Sequence, residues 1–381
     1  MSAPRFRAAR RTTGLDAIAA RVTEHHRAAP AAVVATTRGS SEVFVGCAGQ
    51  LSWDQDAAAA SPDTVFDLAS ITKSYTAVLA ARLARTARLP LSTPIGELVE
   101  ETRGTAVAGT AVETLLAHRA GLLAHIQVFL PLLFGKTIDP SESLREVACS
   151  RRPECVGEPP PDGFAPLYSD LGYLLVGEGL ARFAGRPLAE LVEREIAAFT
   201  GSHVTSGAGL SDLSMVAPTE QADFRGGVVR GVVHDENAWA IGGSEMCGHA
   251  GLFGTAVDVA RFGAALLDAL AGRRDDWLSP ADLEPLLRER PGGTLRAGFD
   301  GKSAGPSTAG SLFGARTFGH LGFTGTSLWM DPEAGMATVL LTNRVHPSRE
   351  AYGIRAARPD VYDRTFSWWS FVRESLQSEA L

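Results

Sequence analysis

Ser70 and Lys73 stand three residues apart in the stretch Val65-Phe66-Asp67-Leu68-Ala69-Ser70-Ile71-Thr72-Lys73. A serine hydroxyl is a weak nucleophile at neutral pH and needs a neighbour that takes its proton. From Ile71 to Ala84 the chain has no Gly or Pro, which predicts a helix opening near the serine. Residues three apart share a helix face, so Lys73 can reach the Ser70 hydroxyl. The helix start also leaves backbone N–H groups free, and these suit an oxyanion. The competing reading is a chance Ser and Lys on a solvated face. Against it, among 36 Lys and Arg residues only Lys73, Lys136 and Lys302 are lysine. A chain that meets its need for positive charge with arginine keeps a lysine where an amine able to lose its proton is useful, since arginine cannot.

Two further stretches carry functional groups. Tyr168-Ser169-Asp170 ends a Pro-rich loop and precedes the helical pattern from Leu171, so its tyrosine is placed to face a cleft or else to pack its ring while a neighbour caps the helix. Gly319-His320-Leu321-Gly322-Phe323-Thr324-Gly325 is a glycine-spaced strand entry, where small residues permit close approach by a ligand. Gly301-Lys302-Ser303-Ala304-Gly305 fits the G-x-S-x-G spelling of a nucleophile elbow, but Gly298, Asp300, Pro306 and Ser307 mark a loop rather than the strand and helix an elbow requires. The same Gly-Lys-Ser fails as a phosphate-binding loop, because Arg296 stands where the first glycine belongs. His234 and His249 are lone histidines that either line a cleft or serve structure.

The elements that must hold these groups follow from the pattern. Thr13 to Ala29 reads as a helix. Ala31–Thr37 and Glu42–Gly46 read as a hairpin turning at Arg38-Gly39-Ser40-Ser41. From Ser70 to about Pro285 helices dominate, near 70–87, 109–117, 171–184, 187–199 and 255–271. Within that span Ile126 to Gly163 is irregular, and its apolar run Ile126–Phe134 is either a lid or a core segment. Strands return from Thr317, with a second hairpin over Gly325–Met330 and Met336–Thr342, and Val361 to Gln377 closes the chain as a helix. The expected division is an α/β sheet domain over 1–69 and 295–381 and a mainly helical domain over 70–294, with the active site between them.

Composition bounds the function. The 381 residues, 45% hydrophobic and 21% charged, suit one large globular unit or two intimately packed ones. A net charge of -7 argues against nucleic acid or an anionic membrane as the main partner. Apolar runs fall short of the roughly 20 residues that cross a bilayer. Arg5, Arg7, Arg10 and Arg11 are followed by no apolar signal core, so a cytoplasmic location is expected. Cys47, Cys149, Cys155 and Cys247 form no C-x-x-C pair and read as reduced structural residues, with Cys149 and Cys155 able to pair in an oxidising compartment.

Taken together, Phe66–Lys73, Tyr168-Ser169-Asp170-Leu171-Gly172-Tyr173 and Gly319–Gly325 resemble the motifs of the serine β-lactamase and penicillin-binding protein superfamily, of which S-x-x-K is a signature. The chain is most similar there to class C β-lactamases and to the lactamase-like esterases and peptidases. Lesser matches are Leu115–Leu122, His234–Ala238 and Gly248–Phe253, and the matches run in family order from about 64 to 345. The resemblance implies a mixed α+β fold in which an antiparallel sheet is flanked by terminal helices and joined to a helical lobe. It implies an acylated Ser70, with Lys73 and Tyr168 sharing the proton transfers and the N–H groups of Ser70 and Phe323 forming an oxyanion hole. Gly322, His320 and Asp170 join the oxyanion and substrate-binding set, and neither metal nor cofactor is implied. The substrate expected is a small ester, amide or β-lactam.

Two departures narrow it. Asp170 stands where many β-lactamases have Asn, and His320-Leu321-Gly322 stands where they have Lys-Thr-Gly. A largely neutral imidazole and a leucine hold a substrate carboxylate poorly. The expectation is a serine hydrolase of small esters or amides whose substrates need not carry that anion. The alternatives are a β-lactamase or D-amino-acid peptidase using the same residues, and a non-catalytic binder or sensor on the same fold.

Overall fold

The computed structural model describes residues 8–39 and 42–378. Arg5, Arg7 and the Ser40-Ser41 part of the expected turn lie outside them. Alternation in the strand Ala31–Arg38 sends Ala32 and Val34 to one face and Val33 and Ala35 to the other. Both faces are covered, which is why this strand reads as a nearly continuous apolar run. It is central to a seven-stranded sheet whose spatial order is Arg10–Arg11, Val43–Gly49, Ala31–Arg38, Met336–Thr342, Ser327–Asp331, Phe318–Leu321 and Asp300–Gly301. Neighbours are antiparallel except Arg10–Arg11, which runs parallel to Phe44-Val45. The two ends of the chain meet at the sheet's centre, where Ala35 pairs with Val339.

One face is covered by the terminal helices Thr13–Ala20 and Ile354–Ser378, through Leu15, Ile18, Val361, Tyr362 and Trp369 against Val34, Phe44 and Leu340. Glycine is required at Gly46, because a Cβ there would lie 2.2 Å from the Leu15 carbonyl carbon. The other face takes the helix Ala256–Leu270, whose Phe262 and Leu266 join Val33 and Val339 in the main core. That helix belongs to the 70–294 span, so the helical part of the chain also supplies a layer of the sheet. Among the described residues no helix is long and apolar enough to cross a membrane.

Three elements depart from the sequence expectations. The first helix is regular only to Ala20 and widens into a π turn over Arg21–His25. The stretch expected to be irregular contains the helix Pro140–Cys149, started by the Asp139 side chain accepting from the Ser141 and Glu142 N–H groups and by proline in its first turn. The last helix begins at Ile354, not Val361, and runs through Pro359. Proline forfeits one helical hydrogen bond there, but the turns before it bury Ile354, Ala357 and Arg358, and tertiary packing overrides local propensity.

Candidate active site

The helix Thr72–Thr86 is entered through a 3₁₀ turn, Ala69–Ile71, that carries Ser70. From Thr72 to Leu83 this helix is buried on every side. Its polar side chains are correspondingly satisfied, Ser74 by the Gly298 carbonyl at 2.7 Å, Thr76 by the Gly248 carbonyl at 2.7 Å and Tyr75 by Ser202 at 2.9 Å. Lys73 is 0% exposed, so the solvated-face reading of this pair does not hold.

The Lys73 ammonium donates to Ser70 Oγ at 2.9 Å and to the His249 carbonyl at 3.3 Å, and its charge is met by Asp170 Oδ1 at 2.7 Å. Burial pulls the Lys73 pKa down, but the charge of Asp170 and the Tyr168 hydroxyl outweigh it and leave the amine above its ordinary value. Lys73 is therefore favoured as a charged donor beside Ser70. The reason is Asp170: burial alone would push its carboxyl up, yet Lys73 and His125 hold it well below the usual range. Asp170 Oδ2 lies 3.9 Å from His125 Nδ1 on its outer side.

Tyr168 stands over the same pair. The Lys73 nitrogen is 5.0 Å from its ring centroid, and its hydroxyl interacts with both Lys73 and Ser70. Burial raises the Tyr168 pKa and these two contacts oppose the rise. Its ring is flanked by His118 at 4.7 Å and His320 at 6.0 Å between centroids. Burial, helped by the charge of Lys73, pushes both imidazoles down to about 3, so both are neutral. His118 Nδ1 accepts from the Ser169 N–H at 3.0 Å, and His320 Nδ1 donates to the Leu321 carbonyl at 2.8 Å.

The position of Ser70 is fixed by a strained backbone. Ala69 has φ of 48°, in the left-handed region that costs a non-glycine residue about 1–2 kcal/mol. It is held there from both sides. Its N–H donates to Asp67 Oδ1 at 2.7 Å, while Thr324 and Thr326 donate to the carbonyls of Asp67 and Leu68 at 2.9 and 3.0 Å. The other Asp67 oxygen accepts from the His234 N–H at 2.7 Å, and burial pushes this carboxyl up to about 6. Gly322 is needed where the loop after Phe318–Leu321 meets the turn before Ser70, since a Cβ would lie 1.9 Å from Thr326 Oγ1 and 2.8 Å from the Leu68 carbonyl oxygen. Strain of this kind persists only where the surroundings over-determine it, as these hydrogen bonds do here.

A cavity of about 710 Å³ opens over Ser70, lined also by Tyr168, Gly322 and Phe323. Among the described residues the Ser70 and Phe323 N–H groups have no backbone partner, which leaves two donors beside the hydroxyl. Asp170 and His320, grouped by sequence with the substrate-binding residues, stand behind this surface: one is the counter-ion of Lys73 and the other packs beside Tyr168. The strand thus offers no cation, but the far wall does. Arg344, Arg349 and Arg355 line the cavity. Arg349 is neutralised by Glu220 and Glu236, whereas among the described residues Arg344 donates only to the carbonyls of Phe323, Arg349 and Ala351. These arginines are cationic groups that the reading of His320 and Leu321 did not include. Their signal lay in the spacing of Arg344, Arg349 and Arg355 after the last strand, which becomes legible only once the chain turns back over Ser70.

The remaining sequence candidates sit as follows. His249 Nε2 pairs with Asp235 Oδ1 at 2.8 Å, next to the Lys73 site. His234 is buried beneath the Phe323 ring, 5.6 Å between centroids. Ile126–Phe134 lies at the surface, with Leu130, Leu133 and Phe134 exposed and the Asn237 side chain pinning the Ile126 carbonyl and the Phe129 N–H. Ser303 donates to the Pro306 carbonyl in a loop, away from any helix start. Cys149 and Cys155 are both free thiols, the first exposed and the second buried. Among the described residues no group of three or more His, Cys, Asp and Glu is arranged to hold a metal ion.

A family model described as Beta-lactamase matches residues 16–361. A protein of Salmonella agona (strain SL483), provisionally named a D-alanyl-D-alanine carboxypeptidase, is 28% identical over an alignment 312 positions long that covers 75% of this chain and 71% of that protein. Two solved structures share the fold with a TM-score of 0.67 each. One is EstCE1, a hydrolase with promiscuous acyltransferase activity, at 20% identity over 92% of this chain and 97% of that one. The other is the D-amino acid amidase of Ochrobactrum anthropi SV3, at 21% identity over 93% and 98%.

Proposed function

The chain belongs to the beta-lactamase family, and from that premise we propose that it is a serine hydrolase that works through an acyl-enzyme on a small ester or amide. The observation that carries the reading is the fully buried Lys73 ammonium, 2.9 Å from Ser70 Oγ and 2.7 Å from Asp170. Ser70 Oγ attacks the substrate carbonyl carbon, its O–H bond breaks, and the carbonyl electrons move onto an oxyanion held by the Ser70 and Phe323 N–H groups. A charged Lys73 must shed a proton before it takes the one from serine. Asp170, held well below the usual carboxyl range, fixes that charge rather than taking the proton, so Tyr168, touching both Ser70 and Lys73, receives the serine proton as it hands its own to the leaving group while Lys73 holds its charge beside them. Collapse of the oxyanion expels the leaving group and leaves acyl-Ser70, which water cleaves by the reverse proton route.

The cationic far wall supports a substrate that carries a negative charge, since Arg344 has no carboxylate partner among the described residues. Peptidase or β-lactamase chemistry would use the same residues. It is favoured by the Salmonella agona relative's name and disfavoured by the missing strand lysine at His320. A cytoplasmic setting is part of the proposal, in keeping with four free thiols.

The test is covalent labelling. Intact mass after a fluorophosphonate should show one adduct, mapped to Ser70 and lost in Ser70→Ala. An adduct elsewhere, or full ester turnover in Ser70→Ala, overturns the assignment. A chromogenic cephalosporin assayed beside a short nitrophenyl ester then separates the lactamase from the esterase.

A further inference from the structure

Arg358 is 93% buried by the complement of its 7% exposure, lies at the wall of the Ser70 cavity and, among the described residues, faces no carboxylate. A buried charge without a counter-ion is expensive, and apolar residues of similar volume usually replace such groups without loss of stability. What this guanidinium does instead is donate from one nitrogen to two carbonyls, Gly322 at 2.9 Å and Thr326 at 2.8 Å. Its Nε is buried without a partner. Burial lowers its pKa to about 10, so it remains charged at neutral pH.

The identity of the first carbonyl matters. The Gly322 C=O and the Phe323 N–H are the two ends of one peptide group, and Phe323 supplies a donor beside Ser70. A cation on the oxygen of an amide draws electron density from its nitrogen and makes the N–H a stronger donor, the same mutual polarisation that strengthens chains of hydrogen bonds in a low dielectric. The second carbonyl, Thr326, also accepts from the Gly322 N–H at 2.7 Å. Arg358 thus clasps both sides of the turn whose Thr324 and Thr326 hydroxyls grip the peptides before Ser70.

We propose that Arg358 is a positioning residue of the oxyanion hole: its charge, transmitted through the Gly322–Phe323 peptide, strengthens the Phe323 N–H as negative charge develops on the substrate oxygen. The inference rests on the serine hydrolase reading above. It assigns a role in the transition state to a residue at the start of the last helix, more than 280 residues from the nucleophile in sequence and behind the cleft wall rather than in contact with the reacting atoms.

Arg358→Met keeps the volume and removes the charge, and Arg358→Lys keeps the charge. Ester kinetics, affinity for a boronic acid that mimics the tetrahedral intermediate, and the rate of fluorophosphonate labelling of Ser70 are measured in the intact chain. For Arg358→Met, kcat should fall about tenfold to fiftyfold with KM nearly unchanged, below the roughly 10²–10³ lost with a whole oxyanion donor. Boronate affinity and labelling rate should fall in parallel, with melting temperature held or raised. Arg358→Lys should recover most of the loss, and dilute guanidinium, but not the neutral isostere urea, should partly restore Arg358→Gly. Unchanged kcat and labelling in Arg358→Met, or equal rescue by urea and guanidinium, overturns the proposal while leaving Ser70 as the nucleophile. Absence of any Ser70 adduct in the unmodified protein overturns the hydrolase reading itself, and the Arg358 role with it.

Discussion

Lys73 Nζ and Asp170 Oδ1 are 2.7 Å apart, and the lysine is wholly buried. Among the described residues each is the other's main ion-pair partner, with the half-exposed His125 on the outer side of Asp170. Removing one partner of such a pair leaves an uncompensated buried charge, at a cost of about 3–5 kcal/mol. Asp170→Asn should lower stability by an amount of that order in denaturant unfolding, and Lys73→Met in the same background should restore most of it. Additive losses in the two single variants and the double variant would show that the two groups do not sense one another.

That pair also marks where the sequence was legible and where it was not. The Ser70 to Lys73 spacing fixes a shared helix face from the chain's periodicity alone, and the two hairpins 31–49 and 327–342 follow from short apolar runs on either side of turn residues. The protonation state of Lys73 does not follow from spacing. It depends on a carboxylate 97 positions away, brought in by the start of the helix Asp170–Ala184. The helix Pro140–Cys149 was masked by the prolines around it, and the arginines of the cleft wall were masked by distance along the chain. Long-range electrostatics and packing decide each of these, and neither is a local property.

Substrate charge can be tested directly. Because Arg344 and Arg355 line the cavity and Arg344 has no carboxylate partner among the described residues, an ester bearing a carboxylate should have a higher kcat/KM than a neutral ester of the same size at low ionic strength. The advantage should shrink with added salt, since exposed charges are screened over about 10 Å at 0.1 M. Arg344→Gln with Arg355→Gln should abolish it. Equal turnover of both esters at every salt concentration would return the cleft to the neutral preference suggested by His320 and Leu321.

Acid should destabilise the site through its neutral imidazoles. His320 is held near 3 in the folded protein, below the roughly 6.5 of an unfolded histidine. Between those values the unfolded chain binds the extra proton, so the stabilisation is complete above about pH 6.5 and is lost progressively as pH falls toward 3. One such group contributes about 2 kcal/mol of this loss between pH 7 and pH 5. His118, facing Lys73, Tyr168 and Tyr173, adds a second contribution of the same sign. His320→Gln should therefore flatten the fall in melting temperature over pH 7 to 5. An unchanged slope would mean that another group carries it.

Tyr168 separates packing from proton transfer most cleanly, because Tyr168→Phe removes only the hydroxyl while the ring keeps its place between His118 and His320. Burial raises its pKa, so at neutral pH it is a protonated phenol interacting with Ser70 and the Lys73 ammonium. A group in that position can hand a proton to the leaving group as it receives one from Ser70. General acid–base catalysis is typically worth about 10²–10⁴-fold, and kcat in Tyr168→Phe should fall by a factor in that range with little change in melting temperature. Tyr168→Phe combined with Lys73→Met should cost far less than the product of the two single losses, as groups acting as a unit do. A fall of less than about threefold, well below the range for a proton-transfer group, would leave Lys73 as the only base for Ser70 and Tyr168 as a wall of the cleft.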